Sequence, residues 1–208
     1  MRHPVTRMNE QRGNSIVEFA LVSVLLVPLL LGTVNVGMNL TRSIQATQVS
    51  RDAGHMFARF VDFSEPANQD IIIRLAYGLG MAQGSGKGKV VLSRVMYIGQ
   101  LECEAGGLQL NECNNYQQPV ITQQIIIGNP SLRTSNIGEP PSNLFDSKGE
   151  MSSNDYLTDV RARAVNFGSI LAMQPGEYAY VSEAIFRAPE YDFPGMFEDT
   201  NVYARTIF

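Results

Sequence analysis

The residues of this 208-residue chain that could do chemistry are few and widely spaced. The two histidines are His3 and His55, and no G-x-S-x-G turn accompanies them, so the sequence offers no Ser-His-Asp set. The acidic residues form no pair that their sequence context marks out. We therefore expect no enzyme activity and no cofactor, and we expect His55 to be a surface or core residue of a helix.

One carboxylate stands in an unusual place. Glu18 lies at the edge of an apolar run, residues 19–38, whose strongly polar side chains are Ser23, Thr33 and Asn35. An ionised carboxylate inside a membrane costs up to a few kcal/mol unless it reaches the interface or finds a partner. The chemistry available to Glu18 is therefore charge pairing.

The apolar run is long enough to be a transmembrane helix. About 20 residues rise about 30 Å as an α-helix, which matches the hydrocarbon core of a bilayer. Pro28 removes one backbone hydrogen bond in mid-span, which predicts a kink or a local loosening. Two simpler interpretations are a signal-anchor helix, in which Glu18 does nothing, and a secretory signal peptide. The run is too long for a signal peptide, and residues 31–35 form a poor cleavage site.

The start of this helix resembles a known processing site. Gly13 is followed by the residues NSIVEF, which is similar to a type IV pilin precursor: a short basic leader, a glycine, then an apolar helix with glutamate five residues past the cut. The residues VEFALV, Pro28 and Gly32 resemble more closely the TadE-like minor pilins, or pseudopilins, of tight adherence (Tad) type IV pilus systems. The C-terminal segments MQPGEYAYVSEAIFRAP and NVYARTIF also resemble that family.

The resemblance implies a domain organisation and a set of partners. Residues 1–13 would be a leader, residues 14–38 a transmembrane assembly helix and residues 39–208 an extracytoplasmic pilin-like domain. A prepilin peptidase would cut between Gly13 and Asn14 on the cytoplasmic side. The other implied partners are major and minor pilins of the same system, the inner-membrane assembly platform and membrane lipid. The implied role is assembly of a pilus for surface adherence, through initiation, at the tip or by incorporation.

Cleavage at this site would give Glu18 a partner. The new α-amino group of Asn14 would be cationic near neutral pH, and a cation in a low-dielectric helix bundle needs a counter-charge. Glu18 of the same or a neighbouring subunit could supply that charge. We therefore predict that Glu18 acts in assembly.

Charge predicts orientation and excludes one class of partner. The net charge is −4, and removal of a leader with three arginines and one glutamate leaves −6, so we expect no nucleic-acid binding. The positive charge concentrated in the leader predicts that the N-terminus stays in the cytoplasm. The expected location is the inner membrane, with a single pass.

Cys103 and Cys113 are the two cysteines of the chain. A four-ligand zinc site would need more Cys or His nearby than the sequence offers, so we predict no metal site here. A disulfide suits an oxidising compartment and would stabilise the loop between two strands by roughly 2–3 kcal/mol. Two free thiols in a surface loop are the alternative.

Periodicity predicts an α+β domain of the type IV pilin kind, with the long N-terminal helix packed on an antiparallel sheet of about four strands. The first helix should continue to about Phe60, and a second should begin near Pro66. Strands are predicted from Lys89, over 120–127, over 177–187 and over 201–208. The GSGKGK segment lacks the spacing of a phosphate loop, and we interpret it as a flexible turn into the sheet.

Two regions are less defined. Residues 131–155 are rich in Ser, Asn, Gly and Pro, and such a long loop is usually a mobile or a binding segment. Its acidic residues lack the spacing of a calcium loop. Residues 156–173 could form a strand or helical turns. A second hypothesis for function follows from the loop: a signal-anchored envelope domain that binds a ligand through residues 131–155 and never enters a filament.

Overall fold

The computed structural model describes residues 11–187 and 201–208. Its first element is helix α1, Gln11–Ala58, which continues through Pro28 and past the end of the apolar run. The prediction of one continuous helix is confirmed, although the helix ends two residues earlier than predicted. The chain divides into two compact units between Thr41 and Arg42, and α1 contributes residues to both. The leader, residues 1–13, falls largely outside the described residues.

The described part of the chain contains three further α-helices: α2 (Pro66–Leu75), α3 (Gln100–Ala105) and α4 (Ser153–Thr158). The strands are β1 (Met81–Ala82), β2 (Ser85–Gly86), β3 (Gly88–Tyr97), β4 (Pro119–Gly128), β5 (Tyr178–Phe186) and β6 (Val202–Ile207). The second predicted helix and the four predicted long strands are thus confirmed.

The four long strands form one antiparallel sheet in the order β4-β3-β5-β6. The α+β class with about four strands is therefore confirmed. Strands β1 and β2 form a separate hairpin within the glycine-rich segment. The prediction of a flexible turn there was incomplete, because Gly84 and Gly86 adopt positive φ and allow a tight hairpin that leads into β3.

The C-terminal half of α1 covers one face of the sheet. Its buried residues Ala46, Val49, Ala53 and Phe57 recur every three or four positions and so form one stripe along the helix. They share a hydrophobic cluster with strand residues Val90, Leu92, Ile125, Ile127, Ala184, Phe186 and Ala204. Ile72 of α2 is buried in the same cluster. Both helices therefore contribute to the core on this face.

The backbone of α1 lies close to β5. The Ser50 hydroxyl donates to the carbonyl of Ser182 at 2.9 Å, and both serines are fully buried. At Gly54 an added Cβ would lie 3.0 Å from the Ser182 Cβ and 2.4 Å from the Phe208 ring. A glycine at position 54 therefore permits the close approach of helix and sheet.

The opposite face is covered by the segment between β4 and β5. Ile137, Ala164 and Phe167 of this segment pack on Val95 and Val181 in a second buried cluster. The same segment closes the outer edge of β4, since isolated bridges join Val120 to Arg163 and Gln123 to Glu150. The predicted loop of residues 131–155 is thus a packed part of the domain up to the start of α4, and we call residues 131–152 the packed loop.

The sequence of residues 156–173 is compatible with a strand or with helical turns. The structure has helical turns there: α4 extends to Thr158, and 3-10 turns cover Val160–Ala162 and Phe167–Ser169. The alternation of Val160, Ala162 and Ala164 that suggested a strand yields a single bridge at Arg163. Side-chain caps stabilise the turns instead, because Ser152 and Asp159 accept from backbone amides at their N-termini.

Candidate membrane and assembly segment

The N-terminal part of α1, residues 15–41, contains no buried side chain. Its large apolar side chains are broadly exposed, with Ile16 at 71 % and Phe19 at 75 %. In water such a surface would be strongly unfavourable. Helix α1 is long and apolar enough to cross a membrane, and its most apolar stretch is not buried, although a signal sequence would share these properties. It therefore indicates a single-pass membrane protein.

The polar side chains of this segment are largely satisfied within the helix itself. Ser23 donates to the Phe19 carbonyl at 2.8 Å, and Thr33 donates to the Leu30 carbonyl at 2.8 Å. Hydroxyl groups bonded in this way expose no free donor to lipid. Glu18 is thus the one ionisable side chain among residues 15–41.

Backbone geometry relates Glu18 to the expected cleavage site. Gly13 and Asn14 are the third and fourth residues of α1. Asn14 and Glu18 are four positions apart, and residues with that separation lie on one face of a helix, one turn apart. If the helix stays intact after cleavage, the amino group released at Asn14 would therefore lie about one helical turn from Glu18.

Pro28 lies inside α1, one turn before Gly32. A proline cannot donate to the carbonyl four residues earlier, and a glycine lowers helix propensity by about 1 kcal/mol relative to alanine. The two residues mark the part of the segment with the weakest intrinsic preference for helix. The predicted kink at Pro28 stays a prediction.

The two cysteines lie in the segment between β3 and β4. Cys103 of α3 and Cys113 are joined by a disulfide, and their Cα atoms are 5.9 Å apart. Both residues are buried in a cluster with Met96, Ile98, Val120 and Leu157. The bridge therefore fixes α3 against the ends of the strands, and the free-thiol alternative is not what the structure has.

Two acidic residues, one in the packed loop and one in α4, stabilise local turns. The Asp146 carboxylate accepts from the amides of Lys148 and Glu150, each at 2.8 Å, and thereby closes a turn. Asp155 accepts from the Ser152 hydroxyl at 2.7 Å. Among the described residues, no group of three or more His, Cys, Asp or Glu side chains has an arrangement that could hold a metal ion.

His55, the histidine of α1, is exposed, and its ring lies 4.4 Å from the ring of Phe208. Its position fits a surface histidine that packs on the end of β6. Of the two expectations for His55, a surface or a core residue of the helix, the structure has the surface one.

Sequence reasoning missed a buried polar cluster under the packed loop. Lys89 of β3 and Glu183 of β5 are both fully buried. Lys89 contacts Glu139, and Glu183 accepts from the hydroxyl of Tyr203 at 2.5 Å. Burial, followed by the hydrogen bond to Glu183, raises the pKa of Tyr203 well above its usual value. The sequence did contain one signal of this cluster: Glu183 stands inside the apolar strand YAYVSEAIF. A charged residue is seldom buried without a partner, so its position predicts one.

Comparison with known proteins agrees with the N-terminal part of this description. A family model described as TadE-like protein matches residues 13–55, which confirms the resemblance expected from the residues around Gly13. No curated protein and no solved structure gives a significant match to the chain. The family match suggests a protein associated with a Tad pilus, and it covers the segment that the structure leaves exposed.

Proposed function

We propose that this chain, whose residues 13–55 carry the TadE-like signature, is a minor pilin or pseudopilin of a Tad-type pilus. A prepilin peptidase cleaves it between Gly13 and Asn14, and the mature helix then takes part in pilus assembly for surface adherence. Its role there is structural rather than enzymatic. The observation that carries the proposal is the coincidence of the family match with an apolar helix segment that nothing else in the described chain covers.

The exposed segment supports both a membrane-bound and an assembled state. In lipid, its apolar side chains and internally bonded hydroxyls are compatible with the hydrocarbon core. In an assembly, the same surface packs on the helices of other pilins, where association depends on van der Waals contact and a few polar groups. Glu18 is the polar group that we assign to this contact, with the released α-amino group as its counter-charge.

The location that we propose is the inner membrane, with the N-terminus in the cytoplasm and the C-terminal domain outside. The basic leader supports this orientation. The disulfide between Cys103 and Cys113 also supports it, since such bonds persist in oxidising compartments. The partners in this setting are the prepilin peptidase, major and minor pilins of the same system, the assembly platform and membrane lipid.

The decisive experiment tests cleavage. The full chain is produced together with the prepilin peptidase of its own system, extracted from the membrane, and analysed by intact mass and N-terminal sequencing. We expect a mature chain that begins at Asn14. Replacement of Gly13 by leucine should leave the leader attached, whereas the matched variant Gly32→Leu, which changes a glycine within the span, should be processed normally.

The outcomes separate the two functional hypotheses. A wild-type chain that keeps its leader in the presence of the peptidase would contradict the pilin proposal and favour a signal-anchored envelope domain. Normal processing of the Gly13→Leu variant would remove Gly13 from the recognition site. The pilin proposal requires cleavage between Gly13 and Asn14 in the wild-type chain and in the Gly32→Leu variant, and no cleavage in the Gly13→Leu variant.

A further inference from the structure

Three ionisable side chains meet on the sheet face that lies under the packed loop. Lys89 and Glu183 are fully buried, and the Glu139 side chain is 18 % exposed. The register of β3 and β5 pairs Lys89 with Ile185 and Val91 with Glu183. Paired residues lie on the same face, so Lys89 and Glu183 are diagonal neighbours within reach of each other's long side chains.

The amine of Lys89 is held against the carboxyl group of Glu139. The Nζ atom lies 2.5 Å from Oε1 of Glu139, and the backbone amide of Ser135 donates to the same oxygen at 2.8 Å. The amine nitrogen therefore lies beside the carboxyl carbon to which that oxygen is bonded. The contact joins the start of the central strand β3 to a residue 50 positions later in the chain.

Glu183 has its own set of donors. It accepts from the Asn136 amide at 3.1 Å, from the Tyr203 hydroxyl at 2.5 Å and from the Ser135 hydroxyl. Lys89 is not among these three donors. Ser135 links the two acids, since its amide contacts Glu139 and its hydroxyl contacts Glu183.

This environment favours reaction over a permanent ion pair. Removing an ammonium and a carboxylate from water carries a large desolvation penalty, which a neutral amide formed from the two groups would not carry. A neutral amine is a nucleophile, and a neutral carboxylic acid can lose hydroxide as water. Because the two groups are held in contact, their reaction is intramolecular. Well-oriented intramolecular reactions reach effective molarities of about 10⁵ M or more.

We propose that Lys89 and Glu139 become joined by an intramolecular amide bond. One proton first passes from the Lys89 ammonium to the Glu139 carboxylate that it contacts. The Nζ lone pair then attacks Cδ of Glu139, a C–N bond forms, and one C–O bond breaks. Two of the three ammonium protons leave with the departing oxygen as water, and the third remains on the amide nitrogen. No oxidant, reductant or other co-reactant is needed.

The two residues joined by the amide bond would flank the disulfide in sequence. The loop that the amide bond closes, residues 89–139, contains the loop closed by Cys103 and Cys113. It would also tie the packed loop covalently to the central strand at the point where Glu183 and Tyr203 already bind it. This inference does not depend on the pilin proposal, because it concerns residues of the 42–208 unit alone.

Intact mass measurement of the purified, full-length chain tests the proposal directly. The amide lowers the mass by one water, about 18 Da, in addition to the two hydrogens lost in the disulfide. After reduction and denaturation, trypsin should leave Lys89 uncut. It should release a branched peptide in which residues 88–94 are joined to residues 134–148.

Lys89→Arg is the matched control, because it keeps a cation at position 89 but removes the primary amine. We expect that variant to have its full calculated mass apart from the disulfide. A wild-type chain without the loss of water, cut by trypsin after Lys89, would overturn the proposal. Loss of water with normal cleavage at Lys89 would overturn it as well, since the water would then have left another site.

Discussion

At the scale of single residues, Glu18 and Glu183 face the same physical problem in different surroundings. Each is a carboxylate inside an apolar sequence. Glu183 is satisfied by three donors that the folded domain brings to it. Glu18 is exposed on the surface of α1. If that surface lies in lipid, the missing donor has to come from outside the folded unit, and the amine released at Asn14 is the candidate that cleavage supplies.

Replacement of Glu18 by alanine should leave membrane insertion intact, because it makes the helix more apolar. Incorporation into a pilus should fall strongly, since the released amine would lose its counter-charge and a buried charge left unpaired costs about 3–5 kcal/mol. The measurements are membrane fractionation and the amount of the protein in sheared pili.

Ser23→Ala is a suitable control for the Glu18 variant. It changes a polar residue of the same helix whose hydroxyl bonds to the helix backbone. We expect it to assemble as the wild-type chain does. Normal piliation with Glu18→Ala would show that Glu18 has no part in assembly.

At the scale of elements, α1 is one helix with two different surfaces. From residue 15 to Thr41 its side chains are largely exposed and mostly apolar, whereas from Arg42 onwards polar residues alternate with a buried stripe. The helix can lie close to β5 because the residues that face it are small, namely Ala46, Ala53 and Gly54. The second half of α1 is therefore an ordinary core helix, in contrast to the first.

Gly54→Val should destabilise the domain by about 1–3 kcal/mol, because its Cβ would meet Ser182 at 3.0 Å and its branches would meet the sheet. Thermal or denaturant unfolding measures the change. Gly78→Ala is the control: nothing lies within 4 Å of an added Cβ there, and its φ is not positive, so little loss is expected. Equal stability of the valine variant would contradict the close contact between α1 and β5.

At the scale of the whole molecule, the core belongs to one of the two compact units. Every buried hydrophobic residue of the described chain lies at position 46 or later. The sheet has core residues on both faces, from α1 and α2 on one side and from the packed loop and the turns after it on the other. The unit Arg42–Phe208 therefore contains what a stable domain needs.

A chain that begins at Arg42 and is exported to an oxidising compartment should be soluble and folded. It should contain the disulfide and unfold cooperatively, within a few degrees of the full chain in detergent, because it loses no buried residue. Circular dichroism and calorimetry measure this.

The control for that truncation is a chain that begins at residue 59 and so lacks all of α1. It loses Ala46, Val49, Ala53 and Phe57 from the core, and we expect it to aggregate or remain unfolded. Aggregation of the longer chain would contradict the division of the molecule at residue 42. Stable folding of the shorter one would show that α1 is dispensable for the core.

Sequence alone determined the features that depend on local pattern. The apolar run, the helix start at Pro66 and the period-two strands were readable because side-chain spacing reflects backbone period directly. The resemblance around Gly13 was readable because it is contiguous in the chain. The disulfide followed from having just two cysteines, 10 positions apart.

Tertiary structure decided the features that join distant positions. Residues 131–152 look like a surface loop because their composition lacks a period, yet Ile137 and the bridge at Glu150 pack them on the sheet. The contact of Lys89 with Glu139 joins residues 50 apart, and a local pattern carries no information about such a separation. A buried charge becomes stable only through partners that folding brings together, so the sequence could show the charge at Glu183 but not its donors.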